Sequence, residues 1–111
     1  MLGRPVTAGL GEPRARVVLV DPSEIATEAR AAQEQGHRVG IFLPPAFADA
    51  PVKAHAVVAI PESMAEYARG LYGFLRELDR LGCDLIVASL PVEQGLGLAI
   101  ANRLRRAAGP R

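Results

Sequence analysis

Residues 84–108 read DLIVASLPVEQGLGLAIANRLRRAA, and this stretch decides the fold. It opens on an apolar run, residues 84–90, that Pro91 stops. The run is nearly continuous rather than alternating, as in a strand buried on both faces of a parallel sheet. Gly95-Leu96-Gly97 then opens a helix that runs to about Ala108. Leu96, Ala99, Ile100, Leu104 and Ala107 make its apolar side, and Gly109-Pro110 ends it. A buried-type strand followed by an amphipathic helix is half of an α/β unit.

Upstream the same grammar repeats. Residues 16–20 (RVVLV) form a strand that Asp21-Pro22 stops. Residues 23–35 form a helix, with Ser23 as its cap and Glu24 against the N-terminal dipole. Its buried side is Ile25, Ala29 and Ala32. Residues 37–43 (HRVGIFL) are a second strand, in which Gly40 marks a bulge or close packing. Residues 44–54 carry three prolines and read as a loop. Residues 55–60 (HAVVAI) are a third strand. Residues 62–81 are the best-marked helix, striped by Met64, Ala68, Leu71, Leu75, Leu78 and Leu81 and widened by Tyr67 and Phe74. Gly70 and Gly73 inside it each cost on the order of 1 kcal/mol relative to Ala, which close approach of another backbone would offset.

The order β-α-β-β-α-β-α predicts an α/β fold. It is a small Rossmann-like three-layer sandwich of about four mostly parallel strands, order 3-2-1-4, with three helices. The short link before the third strand leaves that strand's direction open. Residues 1–15 read as a flexible tail or linker, and residues 16–111 as a single domain.

Composition excludes more than it assigns. The 111 residues are 50% hydrophobic and 23% charged, which excludes wholesale disorder. A single cysteine, Cys83, makes no internal disulfide, and with two histidines it makes a structural zinc site implausible. No apolar run is long enough for a membrane span, and residues 1–5 (MLGRP) lack a signal-peptide core, so a cytoplasmic location is expected. A net charge of +1 gives no case for membrane binding or for direct nucleic-acid binding by the whole chain.

Candidate ligand contacts gather where strands 1 and 4 end, since open parallel sheets bind ligands beyond their carboxyl ends. They are Asp21, Ser23, Ser89, Gly95 and Gly97. Turn and cap roles explain Asp21 and Ser23 equally well. The Gly-Leu-Gly pair lacks the third glycine of a dinucleotide fingerprint, because Ile100 stands in its place, and it reads first as a glycine-softened helix entry packed tightly on the sheet. His37 and His55 begin strands, at the wrong edge for such a site. Cys83 follows a helix C-terminus, where a thiolate is disfavoured. The sequence therefore offers no catalytic residue, no metal ligand set and no cofactor. Asn102, Arg103 and Arg106 lie in a basic C-terminal stretch that suits a helix C-terminus and is a candidate partner surface. An RNA or other anionic contact is the sharper alternative there.

Residues 71–109 resemble the C-terminal accessory domain of long-form threonylcarbamoyl-AMP synthases. The likeness is carried by residues 75–79 (LRELD), 84–88 (DLIVA) and above all 95–108 (GLGLAIANRLRRAA). It extends loosely upstream to residue 16. The resemblance implies a Rossmann-like domain and a link to tRNA threonylcarbamoyladenosine modification. In that family the chemistry belongs to a YrdC-like catalytic domain that this chain is too short to hold, so no catalytic residue carries over. The family's linker motif, with its Tyr and His, has no counterpart in residues 1–15. The expected role is a non-catalytic accessory or partner-binding domain, with a separately encoded YrdC-like domain as partner and a homodimer as a further possibility. The alternative is a small-molecule or nucleotide-binding sensor diverged from that family.

Overall fold

The computed structural model describes residues 15–49 and 52–109. Strand β1 is Arg16–Leu19, and a 3-10 turn, Pro22–Glu24, leads into helix α1, Ile25–Glu34. Strand β2 is Val39–Leu43, and after a 3-10 turn at Pro45–Phe47 comes β3, Ala56–Ala59. Helix α2 is Met64–Arg80, β4 is Leu85–Ala88 and α3 is Leu96–Ala108. All four strands are parallel in one sheet, including β3, which pairs with β2 from Gly40↔Ala56 to Leu43↔Ala59.

The strand order is β1-β4-β2-β3, so the expected order 3-2-1-4 is corrected to 3-2-4-1. The reason lies in which strand can be covered on both sides. In β4, Ile86 and Ala88 join the core under α2 and α3, while Val87 joins the core under α1. β1 begins with exposed Arg16 and is only half-buried beyond Val17, which suits an edge. Both strands read as apolar runs, and only packing separates the central one from the outer one. The crossover from β1 to β2 and that from β3 to β4 run in opposite directions across the sheet. Their helices lie on opposite faces, as crossovers of one hand require.

Several boundaries shift for local reasons. Ser23 lies in the 3-10 turn rather than capping α1, and no side chain caps that helix. The turn is closed by the Glu24 N–H donating to the Asp21 carbonyl at 2.8 Å. In α2 the cap is Ser63, whose Oγ accepts from the Glu66 N–H at 3.2 Å. Ala15, expected in the tail, is buried in the core, and its N–H donates to Asp79 Oδ1 at 3.0 Å. The remainder of the expected tail lies outside the described residues. At the amino edge, Arg38 Nε donates to the Gly82 carbonyl and His55 Nε2 bonds the Leu81 carbonyl, both at 2.8 Å. These contacts occupy carbonyls at the end of α2, so His55 fastens the helix to the sheet although it is exposed.

The core under α2 holds an aromatic group. Phe42 meets Tyr67 and Phe74 edge-on, with ring centroids 6.5 and 6.3 Å away. Tyr67 is fully buried, and its hydroxyl finds no hydrogen-bond partner among the described residues. Burial pushes its pKa up, so it stays a neutral phenol.

The glycines divide into those the fold needs and one it does not. A Cβ on Gly40 would lie 3.0 Å from Leu78 Cδ1 and 3.1 Å from Cys83 Sγ, so close packing rather than a bulge explains it. At Gly97 a Cβ would lie 1.9 Å from the Val92 carbonyl oxygen. A backbone cannot yield that far without undoing the turn before α3. Gly70 faces the Phe74 ring, not another backbone, and Gly73 has open space over it. The expected backbone approach is therefore absent at both among the described residues.

Gly97→Ala is expected to lower unfolding stability by about 2–3 kcal/mol in urea titration, at the upper end of overpacking costs. Gly73→Ala is expected to raise it by about 0.5–1 kcal/mol. A neutral Gly97→Ala would contradict the packing described for that turn. Tyr67→Phe is expected to leave the melting temperature unchanged or raise it, because the hydroxyl is buried without a partner. A drop of several degrees would show that the hydroxyl is bonded.

Candidate functional site

β1 and β4 are neighbours, and the chain leaves their carboxyl ends toward opposite faces, into α1 and α3. The divergence point expected between these strands is therefore present despite the changed order. The Val20 N–H donates to the Ala88 carbonyl at 2.9 Å, which sets Asp21 beside Ser89 at the sheet edge. Asp21 and Ser23 are exposed and Ser89 is buried. Gly95, at φ +56°, turns the chain into α3.

The N–H groups of Gly97 and Leu98 are engaged within this turn. That of Gly97 donates to the Gln94 carbonyl at 2.9 Å, and that of Leu98 to the Gly95 carbonyl at 3.1 Å. Gly97 is thus accounted for by packing and turn closure. The edge offers a ligand Asp21, Ser23 and Ser89, but it shows no convergent charged set.

Asn102, Arg103 and Arg106 form a separate group, exposed along α3 and more than a turn beyond Gly97. Asn102 Oδ1 accepts from Arg105 Nη1 at 3.3 Å, and Arg105 pairs in turn with Glu93. Arg103 turns the other way, toward α2. Its guanidinium carbon lies 6.0 Å from the ring centre of Tyr72, and that of Arg76 lies 5.5 Å from it. Two cations from two helices therefore flank one aromatic ring that is itself 42% exposed. Sequence reasoning passed over Tyr72 because it stands outside the apolar stripe. Arg76 four residues on was a legible neighbour, whereas Arg103 arrives only through the packing of α3 on α2.

The same two helices carry an apolar end near the carboxyl edge. Met64 and Leu96 are both exposed, and a Cβ on Gly97 would lie 3.9 Å from Met64 Sδ. Val92, in the turn just before α3, is 72% exposed.

The remaining chemistry-bearing residues serve structure. Cys83 is buried, and burial, aided by the Asp84 carboxylate, pushes its thiol up, away from a reactive thiolate. His37 Nδ1 lies 3.2 Å from Asp84 Oδ1 at the amino edge, remote from the strands' carboxyl ends. Among the described residues no group of three His, Cys, Asp or Glu side chains is placed to hold a metal, and no helix is long and apolar enough to cross a membrane.

Comparison with known proteins agrees with this architecture. The family profile "Threonylcarbamoyl-AMP synthase, C-terminal domain" matches residues 12–109. The threonylcarbamoyl-AMP synthase of Pyrococcus abyssi is 39% identical over 79 residues, which is 71% of this chain and 22% of that protein. The chain thus spans about a fifth of the length of this curated relative. The crystal structure of P. abyssi Sua5 complexed with L-threonine superposes with a TM-score of 0.76 at 34% identity, over 88% of this chain and 29% of that one. The C-terminal Sua5 domain of a hypothetical Sua5 protein from Pyrococcus horikoshii gives a TM-score of 0.66 at 29% identity, over 84% of this chain and 92% of that one. A profile that spans all of the described residues, a parallel four-stranded sheet and the Gly95–Ala108 sequence block agree: the chain belongs to the family of threonylcarbamoyl-AMP synthase C-terminal domains.

Proposed function

We propose that this chain is a non-catalytic accessory domain that docks on a YrdC-like catalytic domain and so serves tRNA threonylcarbamoyladenosine modification in the cytoplasm. The observation that carries this reading is the match to the family's C-terminal domain over residues 12–109. The relative with this domain is named a threonylcarbamoyl-AMP synthase, and about four-fifths of its length lies outside the match. The described residues support a binding role better than a chemical one. Cys83 is buried, His37 and His55 tie the amino edge together, and no nucleophile sits beside a base.

A second reading, a small-molecule or nucleotide sensor, is favoured by Asp21, Ser23 and Ser89 at the diverging strand ends. Calorimetric titration with ATP and with L-threonine separates the two readings. A sensor binds one of them without any protein partner.

The expected outcome for the accessory role is an equimolar complex by light scattering, when the chain is mixed with an isolated catalytic domain of the synthase type. A change in the rate of threonylcarbamoyl-adenylate formation should accompany it. No complex at micromolar concentrations, and no change in rate, would overturn the reading.

A further inference from the structure

We infer that the exposed face shared by α2 and α3 is the docking surface for the partner, and that the partner presents carboxylates to it. The inference rests on the accessory role proposed above and gives that role a place and a chemistry. The centre of the face is Tyr72, flanked by the guanidiniums of Arg76 and Arg103. By helical spacing Arg69 lies two turns before Arg76 on the same side of α2, and Arg106 one turn after Arg103 on α3; both are exposed.

None of these four arginines is a member of the ion pairs His37–Asp84, Glu77–Arg80 and Glu93–Arg105. The acids that border the face are Glu66 and Asp79, and Asp79 already accepts from the Ala15 N–H. The face therefore presents four guanidiniums against two carboxylates, an excess of positive charge.

Its composition points to a protein rather than to a nucleic acid. Arg, Tyr and Met are enriched in the buried centres of protein interfaces. Here the two helices that carry the arginine-tyrosine centre also carry an apolar end, Met64 and Leu96, both exposed. A phosphate backbone would gain nothing from that end. Gly73 adds an independent sign. It stands between Tyr72 and Arg76 in an exposed helix interior, where Ala would be more stable, and nothing in the described fold fills the space above it. Close approach of a partner accounts for a glycine there. A second copy of this chain would offer arginines to arginines across this face, so the fitting occupant is an acidic surface of the catalytic domain.

The test is calorimetric titration of the isolated catalytic domain with the full chain and its variants, at low and at physiological salt. Arg76→Glu combined with Arg103→Glu is expected to weaken binding by about a hundredfold or more, and Tyr72→Ala by about tenfold. Arg30→Glu, on exposed α1 across the sheet, is expected to change nothing. Melting curves of each variant show that the fold is kept. Wild-type binding that survives the double reversal would overturn the docking face and leave the accessory role standing. Failure of the wild-type chain to bind would overturn the accessory role, and this face with it. A gel shift with tRNA that the double reversal abolishes, while the protein complex persists, would reassign the face to RNA.

Discussion

Everything in this fold depends on β4 being apolar on both sides. Ile86 and Ala88 close the core under α2 and α3, and Val87 closes the core under α1. A strand with that requirement must lie inside the sheet, and it does, between β1 and β2. Its position sends the chain from β4 over the α2 face into α3. α3 then packs against α2 and over β1. The turn that makes this possible needs Gly97, because the Val92 carbonyl occupies the space a side chain would take. The juxtaposition of α2 and α3, and so the Tyr72–Arg103 contact, follows from these two constraints.

The sequence was readable where the signal is local and opaque where it is not. Period and punctuation found all four strands and three helices, with ends displaced by one or two residues at most positions. Strand order was not readable in this way. RVVLV and DLIVASL are equivalent as apolar runs, and their ranks in the sheet are set by which faces the helices can cover. The cap of α1 was misread because Pro22 starts a 3-10 turn that draws Ser23 into it.

The candidate residues show the same division. The edge group, Asp21, Ser23, Ser89, Gly95 and Gly97, was placed correctly at the carboxyl ends of β1 and β4, since chain order alone puts it there. Gly97 serves tight packing, as a glycine-softened helix entry implies, but its close neighbour is the Val92 carbonyl rather than the sheet. Asn102, Arg103 and Arg106 were legible as a basic stretch. That Arg103 would meet Tyr72 was not, because it depends on the register of α3 against α2, set by long-range contacts. His55 looked idle in sequence and is instead a fastening of α2 to the sheet.

Membership of the C-terminal domain family, with most of the curated relative's length outside the match, makes contact with a catalytic domain the natural place to look for function. The most direct measurement is hydroxyl-radical footprinting of the full chain, alone and with the isolated catalytic domain, read by mass spectrometry. Tyr72 and Met64 are exposed and reactive residue types. The account predicts that both lose most of their oxidation in the mixture, while the exposed turn at Asp21 and Ser23 keeps its own. Unchanged oxidation at Tyr72 and Met64, with protection elsewhere on the chain or none at all, would contradict it.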